Sequence, residues 1–264
     1  GVIMIKPSEI VKILMHMVLA DFFAKNIDRP HDLKWIFQSF LMTFGVVIWI
    51  LLQPNLSTSI VIFVIWFALV WICGIPVKYL LILALVGIVL IAAAFPLLED
   101  YQRGRIINFL FPDPEASYGD TYNVEQALIT IGSGGLLGEG YGQGTQVQLR
   151  FLKVRHTDFI FSALAEEFGF VGAMIVMGLL LFLIWRCMEI GRTASDLYGS
   201  LIAYSYAAML FFQTAVNIGV NLNVVPVSGL PLPFISYGGS SLLSSILGIG
   251  LVESVALRKG TIPS

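Results

Sequence analysis

Seven apolar runs dominate the chain, at 7–23, 35–52, 56–71, 77–96, 159–185, 197–222 and 236–257. Several approach or exceed the roughly 18–20 residues that carry a helix across a bilayer. The pattern predicts an all-α fold: a polytopic transmembrane bundle of about seven helices forming a single integral membrane domain over 1–264. One long polar segment, 97–158, separates the fourth run from the fifth. A loop of that length in a compact membrane protein is usually functional rather than a connector. Inside it, "GDTYNVEQALITI" predicts a short amphipathic helix with Asp120 or Thr121 as N-cap. The following "GSGGLLGEGYGQGT" holds seven glycines in fourteen residues, which suits a tight backbone turn against a ligand or a neighbouring helix.

Composition agrees with the pattern. The 264 residues are 57% hydrophobic and 12% charged, with a mean hydropathy of +0.87. Soluble domains carry about twice that charged fraction. A net charge of −2 gives no support for nucleic-acid binding. The two cysteines, Cys73 and Cys187, lack the spacing of a disulfide or metal framework. The chain opens at Gly1 without a Met and reads as the later part of a longer protein.

The short loops carry Lys25, Arg29, Lys34, Lys78, Arg186 and Arg192, and the C-terminus carries Arg258 and Lys259. If the spans alternate, all of these share one side, and their positive bias makes that side the cytoplasm. The 97–158 segment, "QPNLS" and "NVVPVSGLPLPF" then face outward. The long loop also holds Arg103, Arg105, Arg150, Lys153 and Arg155, for which an anionic ligand is one reason.

The carboxylates of "VRHTDFIFSALAEEFGFVG" are the first candidates for chemistry. Asp158 stands at the start of the fifth run, where it could cap a helix or serve as a general base at the membrane surface. Glu166 and Glu167 lie about two turns further in, where an ionisable group costs roughly 2.5 kcal/mol or more unless it faces protein or water. Helical spacing puts Glu166 on the face of Asp158 and Ser162. Lys12, inside the first run, needs a counter-charge that Glu9 at i−3 could supply; alternatively it lines an outward cavity and meets phosphate or Asp158. Arg103 and Arg105 could snorkel at the lipid boundary or grip a diphosphate. His156 has no second histidine at ligand spacing. In "VPVSGLPLPFISYGGSSLLSS", prolines and small residues suit irregular backbone lining a cavity or close helix approach.

"KPSEIVK", "QPNLSTS", "YQRGRI", "NVEQALITIGSGGLLGEG", "GTQ", "HTDFIFSALAEEFGFVG" and "PVSGLPLPFISYGGSSLL" occur in an order that resembles the SEDS family (shape, elongation, division and sporulation), typified by RodA and FtsW. The resemblance covers about residues 6–255, with "SALAEEFGFVG" and "YQRGRI" leaning towards the RodA branch. Two departures stand out: Leu152-Lys153-Val154 replaces a common "LPE", and Asn55 stands where an aspartate is usual. The resemblance implies a ten-helix fold of which this chain holds the last seven helices. It also implies a peptidoglycan glycosyltransferase that polymerises lipid II into a glycan strand outside the cytoplasmic membrane and works with a class B penicillin-binding protein. It points to Asp158 as the base, and to Lys12, Arg103 and Arg105 as neutralising the diphosphate, with a divalent cation as a further helper. Gln146, His156, Thr157 and Ser240 fall in motifs assigned to the substrate, and Glu9 and Glu166 to support of the cavity. A transporter or flippase for lipid-linked precursors is the competing class, because intramembrane carboxylates, a lysine and broken backbone also fit a transport path.

Overall fold

The computed structural model describes residues 6–28, 33–53, 55–112, 119–149, 151 and 156–258. Arg29 and Lys259, used above for orientation, and Arg150, Lys153 and Arg155 of the long loop lie outside the described residues, as does the Leu152–Val154 departure. Helices occupy all seven apolar runs. They are α1 (Pro7–Lys25), α2 (Leu33–Leu51), α3 (Leu56–Ile72), α4 (Val77–Ala94), α8 (Ile160–Thr193), α9 (Leu197–Asn221) and α10 (Gly239–Arg258). Of these, α2, α8, α9 and α10 are each long and apolar enough to cross a membrane. Large apolar side chains such as Phe37, Trp49, Leu81, Leu85, Phe170 and Leu179 are exposed along the helices, as a lipid-facing surface requires.

The 97–158 segment is more helical than its polarity suggested. It carries α5 (Asp100–Leu110), α6 (Asp120–Ser133) and the short α7 (Thr145–Gln148). α6 fits the predicted amphipathic helix, but its N-cap is Gly119, not Asp120 or Thr121. Gly119 has φ 96°, so the chain turns one residue earlier than the polar side chains indicated, and Asp120 sits in the first turn.

The chain forms two compact units. The first contains 1–99, 184–210 and 243–264; the second contains 100–183 and 211–242. In the first unit, α1 turns an unusual face inward. Its buried positions include Glu9, Lys12 and His16, while Leu14 and Val18 are exposed. Lys12 Nζ lies 2.7 Å from Glu9 Oε2, the i−3 partner expected from the sequence. His16 Nδ1 is 2.9 Å from Ser205 Oγ, and its ring meets Tyr206 edge-on. Asn55 caps α3 by accepting the Thr58 N–H at 3.2 Å, a task that Asn and Asp perform about equally well. Both cysteines are buried free thiols.

The second unit is built around an interruption. The predicted fifth span is not one continuous helix: α8 breaks at Gly169, with φ 68° and ψ −171°. A broken helix leaves main-chain groups without partners, and in an apolar setting those must be satisfied by protein. The glycine run supplies them. Glu139 and Gly140 N–H donate to the Glu166 and Glu167 carbonyls at 2.9 and 3.1 Å, while Phe170 and Val171 N–H donate to the Gly135 and Leu136 carbonyls at 2.9 and 3.1 Å. Of the two options the sequence left for this run, the structure gives the neighbouring helix. The unit also holds two apolar clusters, one around Ala127, Phe159 and Val220, the other around Phe161, Ala165 and Leu232.

Candidate functional site

Asp158 does not belong to the helix that follows it. Residues 156–159 form a turn, and α8 begins at Ile160. The helical register that put Asp158, Ser162 and Glu166 on one face therefore does not reach Asp158, and that expectation is corrected. Phe159 is 1% exposed and anchors the turn in the first apolar cluster, leaving the neighbouring Asp158 half-buried.

Three consecutive carbonyls of this turn accept hydrogen bonds. The His156 carbonyl takes the Tyr237 N–H at 2.8 Å. The Thr157 carbonyl takes the Ser236 hydroxyl at 2.9 Å. The Asp158 carbonyl takes the side-chain amides of Asn221 at 2.9 Å and Asn217 at 3.2 Å. Asn221 also accepts from the Ser162 N–H at 3.0 Å and its hydroxyl at 2.6 Å, so at Ser162 the capping role comes from α9. Ser236 sits in "PLPFISYGG", where it accepts the Leu232 N–H at 2.8 Å. Phe234 adopts φ 65°, a rare conformation for a bulky residue and one held in place by the second apolar cluster.

Asn217 and Asn221 were not singled out from the sequence. The signal was present: two amides at i, i+4 inside an apolar run, "QTAVNIGVNLN", where polar groups must find partners on another element.

Glu166 is fully buried and has a different occupation. Its carboxylate accepts the Gln146 N–H at 2.8 Å and the Val147 N–H at 3.1 Å, and Ser133 Oγ approaches at 3.5 Å. A carboxylate on the free N–H groups of a helix start satisfies both donors and favours the positive end of the dipole. Glu139 takes the Thr145 N–H at 3.1 Å, so three successive amides of α7 bond to acids. The approach is close enough that a Cβ at Gly144 would lie 2.5 Å from Glu166 Oε2. Gln146, expected to meet substrate, is joined to Glu166 through its backbone and keeps a half-buried side chain.

The two arginine candidates lie on α5. Arg105 is 3.4 Å from Asp120 and lies over the Tyr101 ring, while Arg103 is 4.0 Å from Asp100. Arg105 and Asp120 border a groove of about 330 Å³ shared by α5, α6 and the segment after α9, with Asn108, Glu125, Asn223 and Val227 also lining it. Ser240 is a buried residue in the first turn of α10, and His156 is exposed. Glu9 and Lys12 belong to the first unit, all the others to the second. Among the described residues, no three His, Cys, Asp or Glu side chains come together to hold a metal ion.

Comparison with known proteins places this arrangement. The sequence model of the FtsW, RodA and SpoVE cell cycle proteins matches residues 1–260. The peptidoglycan glycosyltransferase MrdB of Escherichia coli (strain K12) is 38% identical over 260 residues, covering 97% of this chain and 69% of that protein. The probable peptidoglycan glycosyltransferase FtsW of Coxiella burnetii is also 38% identical, over 263 residues, with 97% and 69% covered. A solved peptidoglycan synthase complex that coordinates polymerization and crosslinking contains a chain similar at TM-score 0.81 and 33% identity, covering 99% of this chain and 73% of that one. The rod shape determining protein RodA of Thermus thermophilus matches at TM-score 0.66 and 32% identity, over 98% of this chain and 68% of that one. A helical multi-pass membrane fold and a match along almost its whole length lead to one conclusion: the chain belongs to the FtsW/RodA/SpoVE family of cell cycle proteins.

Proposed function

We propose that this chain is a peptidoglycan glycosyltransferase that polymerises lipid II on the outer face of the cytoplasmic membrane, with Asp158 as its general base. The names of the relatives support the reaction class. The observation that carries the assignment of the base is the state of Asp158, a half-buried carboxylate on a turn whose three consecutive carbonyls are all held. A carboxylate so placed can accept a proton while its backbone stays fixed, which general-base catalysis requires.

In this reading the 4-hydroxyl of the lipid II GlcNAc gives its proton to the Asp158 carboxylate as its oxygen bonds to C1 of the growing strand's MurNAc. The C1–O bond to diphosphate breaks on the opposite side, and undecaprenyl diphosphate leaves with the electron pair. Positive charge on the departing diphosphate lowers the barrier. Arg103, Arg105 and Lys12 are the proposed sources. Lys12 is balanced by Glu9 at 2.7 Å, so it would divide its charge between that carboxylate and a phosphate. Gln146, His156, Thr157 and Ser240 are proposed to face substrate, and Glu166 to hold the α7 region that shapes the site. A divalent cation, if present with the diphosphate, would add positive charge to the departing group; no step here depends on it. The proposed orientation puts 97–158 outside and the C-terminus in the cytoplasm, where the positive bias of the short loops supports it. The proposed partner is a class B penicillin-binding protein, consistent with the similarity to a chain of a peptidoglycan synthase complex.

The test is lipid II polymerisation by the whole protein with its partner, read as glycan products on a gel. Asp158→Ala is expected to fold and to make no polymer. Normal polymerisation by that folded variant would remove Asp158 from the base role.

A further inference from the structure

We infer that Asn217, Asn221 and Ser236 are positioning residues that set the reach of the Asp158 carboxylate by holding the main chain beneath it. This inference rests on the reading of Asp158 as the base.

The two asparagines are 1% and 0% exposed, one helical turn apart on α9. Their donors are fully used. Asn221 Nδ2 gives its two protons to the Asp158 carbonyl at 2.9 Å and the Asn217 carbonyl at 2.8 Å. Asn217 Nδ2 gives its two to the Asp158 carbonyl at 3.2 Å and the Leu230 carbonyl at 2.8 Å. The orientation of the Asn221 amide is dictated by its surroundings: its oxygen faces the two Ser162 donors, and its nitrogen faces carbonyls. One side chain therefore ties the turn carrying Asp158 to the start of α8. The Leu230 carbonyl extends the tie into the proline-rich segment. That segment returns two further bonds, from Ser236 to Thr157 and from Tyr237 to His156.

The turn is thus held at every carbonyl from 156 to 158 by two separate stretches of chain, while Phe159 plugs the core beside it. With the main chain held there, the Cα–Cβ bond of Asp158 points in one direction, and that direction bounds where its carboxylate can reach. A base displaced by about 1 Å from its proton loses roughly a hundredfold in rate. These bonds therefore govern turnover without touching substrate. The physical link between the "HTDF" and "PLPFISYGG" stretches, far apart in sequence, is this set of bonds.

The whole protein with its partner is assayed for lipid II polymerisation as Asn217→Ala, Ser236→Ala, Asn221→Asp and Asp158→Ala. For each variant, turnover per folded molecule, KM for lipid II and the solvent deuterium isotope effect on turnover are measured. Asn217→Ala and Ser236→Ala each leave the other clamps in place and are expected to fold. Turnover should fall about tenfold or more with KM little changed, and the isotope effect should rise as proton transfer becomes slower. Asn221→Asp removes both donors and sets an acid against carbonyls, so it should be the most impaired. If it does not fold, the two alanine variants decide. Folded alanine variants with parental turnover and isotope effect would overturn the inference, as would a change confined to KM. An inactive Asp158→Ala beside parental clamp variants would sink the positioning role alone. An active Asp158→Ala would sink the base reading itself.

Discussion

Replacing Gly169 with alanine tests the interruption on which the second unit is built. Its φ of 68° and ψ of −171° fall in a region almost closed to other residues, at a cost of about 1–3 kcal/mol. A Cβ there would also run into the Gly138 nitrogen and the Leu136 carbonyl, both main-chain atoms that cannot rotate away. The glycine loop must then retreat, and with it the four main-chain bonds of 2.9–3.1 Å that tie 135–140 to 166–171. At about 0.5–1.5 kcal/mol each, those bonds amount to about 2–6 kcal/mol, for a combined cost of about 3–9 kcal/mol. Gly178 on the same helix is an internal control: its Cβ would meet nothing within 4 Å, and alanine in a helix is favoured by about 0.5–1 kcal/mol. The assay is thermal unfolding in detergent together with amide hydrogen exchange across 134–144. Gly169→Ala should melt well below the parent and exchange quickly in the loop, and Gly178→Ala should melt at or above it. Parental exchange in the loop of Gly169→Ala would refute the claim that the break and the glycine run hold each other.

Glu166→Ala strips two charge-assisted bonds from the start of α7, at about 1.5–3 kcal/mol each, and Glu166→Gln should lose roughly half as much. Faster exchange at Gln146 and Val147, graded Ala over Gln, is the expected reading; identical protection in both variants would show that the carboxylate does not hold α7. Lys12→Met or Glu9→Gln alone leaves one charge of a buried pair uncompensated, with side chains 3% and 11% exposed, and should cost about 3–5 kcal/mol. The double substitution should recover much of that loss in a melting experiment, and failure to do so would mean that the pair is not the reason these residues tolerate burial.

The helices were legible because lipid demands long apolar runs, and each expected run became a helix. The break in α8 was not. Gly169 is flanked by phenylalanines, and hydropathy alone does not distinguish a glycine inside a helix from one that ends it. The glycine run announced a tight turn, but its partner groups at 166–171 become visible only in three dimensions. Asp158 was marked by its place at a boundary and by the motif around it. Its surroundings were hidden, because the amides that hold it come from α9, some 60 residues further along. The cap of α6 falls one position before the polar side chains, at Gly119, whose φ of 96° suits glycine and leaves no side-chain signal in the sequence. Lys12 and Glu9 were the easiest pair to foresee, being neighbours on a single turn of helix.

The pairing of the glycine run with α8 also bears on how the protein is made. Gly135 leaves the ribosome about 35 residues ahead of Phe170, whose N–H it will accept. At synthesis rates of about 5–20 residues per second, that gap lasts roughly 2–7 seconds. During that interval the run lacks the main-chain partners that it will find at 166–171. Insertion of α8 is then the event that completes both segments at once.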